Sequence, residues 1–435
     1  MIDSATSIAP KPLPVRHVAA VVVGNALEFY DFLTYGYFAV YIGRTFFPMH
    51  NAGSSLLLSL ATFGAGFLAR PVGAIVIGSM GDRIGRKPAM MLSFSLMGVA
   101  IIGLALTPSY GQIGAVAPVL VLIFRLLQGF ALGGEVGPTT AFLVEAAPPH
   151  RRGFYAAMQY TSQDVAVLSA GLVGTLLASQ LDAQQLQDWG WRVAMLIGAC
   201  IVPFGLILRR TLPETLHAAD DAALAPDATS GALSMRARLR PYLMLIVLGL
   251  VMLASGTIGT YVLSYMTTYA LVTLHMAATV AFGAIIVNGL FQVLFEPTSG
   301  FLSDKFGRKP VMLIPGFMLL LSIFPVFWVI SHYRTTFTLY AAIAWLSTLL
   351  ALSTVPVVTT LTESLPKSIR SGTVATVYAF AISIFGGSTQ FTITRLLQVT
   401  DNPLAPAFYW TAASILGLIA MALVKESAPV KLRGR

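Results

Sequence analysis

The chain has 435 residues, of which 56% are hydrophobic and only 10% charged, with a mean hydropathy of +0.78. Such a composition excludes an ordinary water-soluble globular domain. A formal charge of +9 raises a nucleic-acid partner, but the charges are distributed as a membrane protein requires, and no nucleic-acid partner is expected.

About 20 apolar residues span the hydrocarbon of a bilayer. Twelve runs of that kind are predicted as helices, at 17–43, 54–79, 88–107, 114–145, 153–178, 190–210, 241–270, 277–302, 309–331, 335–361, 370–397 and 404–424. Most Lys and Arg fall in the two tails and the even-numbered connections. Arg44, Arg192, Arg334 and Arg395 lie in the opposite connections, and Arg70 and Arg125 inside runs. By the positive-inside rule this predicts a multi-pass membrane protein with both termini in the cytoplasm.

An ionisable side chain inside a membrane helix costs roughly 2.5–3.5 kcal/mol on insertion scales, so each one marks a pathway or a partner. In the first run Asn25, Glu28 and Asp31 recur every three residues along one drifting stripe. Two readings stand side by side: Glu28 and Asp31 neutralise Arg70 and Arg125 as structural ion pairs, or one of them takes up and releases a proton. The second run contributes Arg70. It ends in Gly78-Ser79-Met80-Gly81-Asp82-Arg83-Ile84-Gly85-Arg86-Lys87, a cationic Gly-rich turn followed by Pro88.

The fourth run holds Arg125 and Gln128, then Gly129, Gly133 and Gly137 at a small-xxx-small spacing that lets helix backbones approach closely. A forked, permanently charged guanidinium suits bidentate binding of a carboxylate, from Glu28, Asp31 or a solute. Glu135 follows in the same run and Asp164 stands in the fifth.

Residues 211–240 lose hydrophobicity, with acids first and bases last, and read as a linker. Beyond it Tyr261, Tyr265 and Tyr269 form a stripe, for which interfacial anchoring is an equal reading. Asn288, Gln292 and Glu296 form a polar stripe on the otherwise apolar eighth run. That run ends in Gly300-Phe301-Leu302-Ser303-Asp304-Lys305-Phe306-Gly307-Arg308-Lys309 and Pro310, a second copy of the earlier turn. Glu145 with Pro148 is likewise echoed by Glu363 with Pro366. The chain is therefore a duplicated unit, and in the register of the repeat Gln292 corresponds to Arg70. Fold class is expected to be all-α and integral to the membrane: tail 1–16, six-helix bundle 17–210, linker 211–240, six-helix bundle 241–424 and tail 425–435.

Several chemistries are excluded. There is no G-x-x-x-x-G-K-[ST] run for a phosphate-binding loop. The six histidines sit at run ends and loops without metal-ligand spacing, and nothing pairs a nucleophile with a base, so no enzyme, metal or cofactor is expected. Cys200 is the single cysteine and forms no intrachain disulfide.

The two copies of G-x-x-x-D-[RK]-x-G-R-K resemble the signature loop of the major facilitator superfamily. More narrowly, Gly24-Asn25-Ala26-Leu27-Glu28-Phe29-Tyr30-Asp31-Phe32, Phe67-Leu68-Ala69-Arg70-Pro71-Val72-Gly73, Arg125-Leu126-Leu127-Gln128-Gly129 and Trp189-Gly190-Trp191-Arg192 resemble the metabolite:proton symporter family. Within it, Thr45-Phe46-Phe47-Pro48 and Ile384-Phe385-Gly386-Gly387 resemble citrate and tricarballylate proton symporters most.

The resemblance implies two pseudo-symmetric bundles that rock about a central site, in a monomer that carries a small carboxylate together with protons through the lipid bilayer. It implies cytoplasmic latches formed by Asp82, Arg83 and Arg86 with Glu145, and by Asp304 and Arg308 with Glu363. On this reading Arg125, Arg70, Asn25, Gln128, Gln292, Asn288 and Tyr265 bind solute. Glu28 or Asp31 carries the proton, with Glu135, Asp164 and Glu296 next in order. Dicarboxylates, aromatic acids and zwitterionic osmolytes are the alternative solutes, and a proton antiporter is the rival mode. Two departures from citrate carriers stand out: Gln163-Asp164 replaces an expected uncharged pair and Glu296 an expected apolar residue. Two added acids repel a trianion unless they are protonated or paired.

Overall fold

The structure is a computed structural model that describes residues 15–49, 51–84, 86–133, 151–210 and 240–432. Among these, the ordered structure is helical. The membrane-spanning helices are α1 (Val15–Tyr37, resumed at Ala39–Phe46 after a turn at Phe38), α2 (Ala52–Ile84), α3 (Arg86–Leu106), α4 (Val116–Gly133), α5 (Arg152–Gln180), α6 (Trp191–Arg210), α7 (Leu243–Thr268), α8 (Ala278–Phe306), α9 (Arg308–Tyr333), α10 (Thr336–Ser364), α11 (Lys367–Ala381, then Gly387–Thr400) and α12 (Ala405–Leu423). Among the described residues, eight of them are long and apolar enough to cross a membrane by length and composition. Helix α11 carries Ser383, Thr389, Gln390 and Thr394, all four buried.

The duplication seen in the sequence is repeated in the packing. Helix α1 packs on α5 and α6 as α7 packs on α11 and α12; α2 pairs with α4 as α8 pairs with α10; α3 touches α4 and α6 as α9 touches α10 and α12. Two seams join the halves and exchange under the same symmetry, α5 against α8 and α2 against α11. Leu68, Ile75, Ile314 and Leu416 are exposed on the outside, where lipid rather than water is their natural solvent.

Close helix approach rests on missing side chains. A Cβ at Gly129 would strike the carbonyl oxygen of Gly66, and one at Gly133 that of Arg70, so α2 and α4 meet backbone to backbone. Gly137, the third residue of that spacing, lies outside the described residues. In the α5–α8 seam a Cβ at Gly289 would stand 2.7 Å from Leu168 N and one at Gly171 2.8 Å from Ile286 N. Helix α11 carries a wide turn at Ile382–Gly386, and Gly387 there faces the Gly64 oxygen of α2 at a distance that a Cβ would reduce to 3.0 Å.

The second signature turn closes α8 onto α9 through Gly307, whose φ of 102° is left-handed territory that favours glycine. At the end of the molecule away from that turn, the Phe282 ring lies 4.7 Å from Phe38 and 6.4 Å from Tyr41, sealing the halves together.

A Gly129→Ala substitution forces a methyl into the Gly66 backbone, an overpacking that costs about 1–3 kcal/mol or more. The purified protein in detergent should unfold at a clearly lower temperature than wild type, while Gly111→Ala, which meets only Ser109 Oγ at 3.9 Å, leaves the melt unchanged. Equal melting of both variants contradicts the backbone contact.

Candidate functional site

Between the halves lies a cavity of about 80 Å³. Ligand pockets are usually about 300–1,000 Å³, so the site is contracted and must widen to admit an organic solute. Its walls come from both halves: Arg70 from α2, Asp164 and Gln163 from α5, Tyr261 from α7, Asn288, Gln292 and Glu296 from α8, and Tyr378 from α11.

The polar stripe of α8 therefore faces inward, as i, i+4 spacing on one helix face requires. Gln292 Nε2 donates to Asp164 Oδ1 across the seam at 2.9 Å and to Asn288 Oδ1 at 3.1 Å, and Ser347 Oγ donates to Asn288 Oδ1 at 2.7 Å. Arg70 and Gln292, equivalent by the repeat, line the same cavity.

Arg70 is 5% exposed. Its guanidinium carbon lies 4.3 Å from the ring centroids of both Phe32 and Phe67, whose faces attract a cation. Its Nε and Nη2 are buried without a hydrogen-bond partner. A buried guanidinium with unfilled donors, on the wall of a cavity, is a place for an incoming anion.

Arg125, expected at the solute, does not reach that wall. It sits one layer behind, between α1 and α2, donating from Nη1 to Phe32 O at 3.3 Å and Gln128 Oε1 at 2.7 Å and from Nη2 to Phe63 O at 3.3 Å. The rings of Phe32, Tyr35 and Phe63 surround it at 4.2, 4.6 and 4.9 Å. Gln128 is spent on Arg125. Asn25 is also away from the wall, donating to Ser162 Oγ at 2.6 Å within the first half. Tyr265 is buried between α7 and α11, its hydroxyl accepting from Thr394 Oγ1 at 2.9 Å. Asp31 points into the packing of α1 on α6, where a Cβ at Gly198 would strike its Oδ1. The stripe of α1 drifts, and its last member turns to the neighbouring helix. The Glu28, Asp82, Arg83 and Arg86 side chains and the whole of Glu135 and Glu145 lie outside the described residues.

Sequence reasoning passed over Tyr160 and Tyr378, which contribute to the wall. Only their place within polar stretches of α5 and α11 could have signalled them.

At the signature-turn end, the second copy of the motif is a built network. Arg308 is fully buried and bridges Asp304 at 2.7 Å and Glu363 at 3.0 Å. Asp304 also crosses the seam, accepting from the N–H groups of Gly153 and Phe154 at 3.0 Å each. These are N–H groups of the first turn of α5, where helix donors are unfilled and the dipole favours an anion. Glu426, beyond α12, accepts from Arg308 N at 2.9 Å and Lys309 N at 3.0 Å, and Ser427 Oγ donates to Glu363. Burial works against the Glu426 charge, but the surrounding backbone N–H groups outweigh it and hold the carboxyl below its ordinary range. Its contribution is therefore present at neutral pH and lost only as pH falls through that lowered value.

Residues 23–390 match the model of the Major Facilitator Superfamily. The chain is 34% identical over 420 residues to a citrate-proton symporter of Klebsiella pneumoniae, covering 96% of this chain and 93% of that one. It is 32% identical to an alpha-ketoglutarate permease of Escherichia coli (strain K12), covering 94% and 93%. The crystal structure of a D-xylose-proton symporter superposes with a TM-score of 0.75 at 19% identity, over 95% of this chain and 98% of that one. The chain belongs to the Major Facilitator Superfamily, and so is a multi-pass membrane transporter and not an enzyme. Within the superfamily it falls in the metabolite:proton symporter family.

Asp304→Asn removes the ion pair and halves the capture of the α5 N-terminus without touching the cavity. An interaction of about 1–2 kcal/mol shifts a two-state ratio roughly 5- to 30-fold. Transport should slow with solute affinity nearly unchanged, and a cysteine replacing exposed Phe154 in a Cys200→Ser background should react faster with a hydrophilic maleimide. Wild-type transport together with wild-type labelling would reduce the motif to a topology signal.

Proposed function

We propose that this protein is a proton-coupled symporter that imports a small carboxylate, with a tricarboxylate such as citrate or tricarballylate the best fit, across a bacterial cytoplasmic membrane. The observation that carries the reading is Arg70, a buried cation with two unfilled donor nitrogens on the wall of a cavity that both halves share. Gln292 and Asn288 supply neutral polar groups beside it, and the 34% identity to a citrate-proton symporter supports the solute class.

In this scheme residues 17–210 and 241–424 move as two bodies, joined by the 211–240 linker, and expose the cavity to one side at a time. The signature-turn end and both termini face the cytoplasm, as the excess of Lys and Arg there favours. Asp304, Arg308 and Glu363 act as the latch of that side, and the protein works as a monomer. Arg125 braces α1 to α2 and steers the solute only through Arg70 and Phe32.

Proton coupling has an energetic reason. Each charge moved through 100 mV is worth about 2.3 kcal/mol, so importing a trianion into a negative cytoplasm costs roughly 7 kcal/mol per 100 mV. Three protons make the step electroneutral, and a fourth lets the potential drive it.

A dicarboxylate is the second reading. It is favoured by the two acids, Asp164 and Glu296, on the same wall as Arg70 and by the 32% identity to an alpha-ketoglutarate permease. Uptake of labelled citrate, tricarballylate, 2-oxoglutarate and betaine into proteoliposomes under an imposed pH gradient separates the solutes. Arg70→Gln should lower apparent affinity for the transported acid roughly 10- to 100-fold, the worth of a charged hydrogen bond, and spare monocarboxylates. Equal losses for acids of every charge would make Arg70 a structural group.

A further inference from the structure

The α5–α8 seam brings together two acids that belong to different halves. Asp164 and Glu296 are 6% and 2% exposed and both lie on the cavity wall, and Gln292, one turn before Glu296 on α8, bonds Asp164 across the seam. Two ionised carboxylates buried on one wall repel, and a proton held between them relieves that repulsion. The remaining partners do not replace that proton. Gln292 Nε2 serves Asp164 Oδ1, the nearby Thr161 hydroxyl donates to Ala157 O, and Glu296 Oε2 is buried without a hydrogen-bond partner.

The groups around the pair are few. Tyr37 of α1, Tyr160 of α5 and Tyr378 of α11 lie within electrostatic reach, and Arg70 of α2 and Tyr261 of α7 share the cavity. The tyrosines are neutral at physiological pH, and Arg70 is the guanidinium whose Nε and Nη2 remain unfilled. No lysine and no second arginine reaches this wall among the described residues.

The backbone gives the pair no slack. Gly171 and Gly289 hold α5 and α8 so close that even a methyl would collide with the opposing main chain. Repulsion between two charged carboxylates is then relieved by moving helices and not by swinging side chains.

We propose that Asp164 and Glu296 form one protonation site shared between the two halves, and that departure of its single proton drives α5 and α8 apart. This rests on the proton-coupled reading above and names the site that reading requires. The proton arrives from water on the outer side, sits between the two carboxyl oxygens while the seam is shut, and leaves to water on the cytoplasmic side, with no covalent bond between heavy atoms made or broken. An anionic solute beside Arg70 adds negative charge to the same cavity and makes ionising the pair costlier, so solute and proton stay together until both are released. The two acids that depart from the citrate carriers' pattern thus act as one unit that holds a single proton and a single negative charge.

Two measurements test the proposal. In substrate-free protein in detergent, infrared titration of the wild type should show the C=O band of a protonated carboxyl persisting through neutral pH. Asp164→Asn and Glu296→Gln should each abolish it, and Glu296→Asp should restore it. In proteoliposomes, Glu296→Gln should still exchange labelled citrate across the membrane, while accumulation under an imposed pH gradient falls from many-fold to no more than onefold. The wild type's apparent citrate affinity should change about tenfold per pH unit above neutrality, the slope of one proton, and that of Glu296→Gln should not. A neutral-pH carboxyl band that survives in both variants, or gradient-driven accumulation by Glu296→Gln equal to wild type, overturns the proposal. Should the wild type itself not accumulate citrate, the solute assignment has failed, and the infrared titration decides the shared proton alone.

Discussion

A charge withdrawn from water into a membrane protein needs a counter-charge, an aromatic face, a ring of dipoles or a proton, because uncompensated burial costs several kcal/mol or more. The polar interior of this protein is a set of different answers to that demand. Arg308 takes counter-charges from Asp304 and Glu363. Arg125 takes carbonyl oxygens, an amide and three ring faces. Arg70 is compensated only in part, by two rings, and it is the arginine on the cavity wall. Its two unfilled donors stand where a solute in the cavity can satisfy them.

The glycines make those answers enforceable. Where α2 meets α4 and α5 meets α8 there is no side chain to yield, so a change in charge at the seam is transmitted as movement of whole helices. Phe32 links the charges within the first half, since its ring contacts both Arg70 and Arg125. Binding at the Arg70 guanidinium therefore bears on the packing of α1 against α2.

Much of this was legible in the sequence, and for definable reasons. Hydrophobic runs, the alternation of basic connections and the duplicated turn depend on one-dimensional patterns, so the helices and their two-fold plan follow directly. The inward stripe of Asn288, Gln292 and Glu296 was legible too, because i, i+4, i+8 spacing fixes a face whatever lies opposite. Facing directions set by tertiary packing were not. Nothing in the sequence tells that Arg125 turns toward Phe32 and Phe63 instead of the cavity, that Asp31 meets Gly198 of α6, or that Asn25 is spent on Ser162. The meeting of Asp164 with Glu296 needs the α5–α8 seam, and the two residues appeared in sequence only as acids out of pattern.

The account holds that the cavity's charges are exposed to one side at a time by movement of two halves. Electron spin resonance distances in the Cys200→Ser background read this directly, with labels at Ala52 and Val399 across one end and at Arg151 and Lys305 across the other. On adding citrate and lowering the pH of protein in lipid nanodiscs, the two distance distributions should shift in opposite directions, one lengthening as the other shortens. Distances that stay fixed at both ends, or that lengthen together, would contradict it.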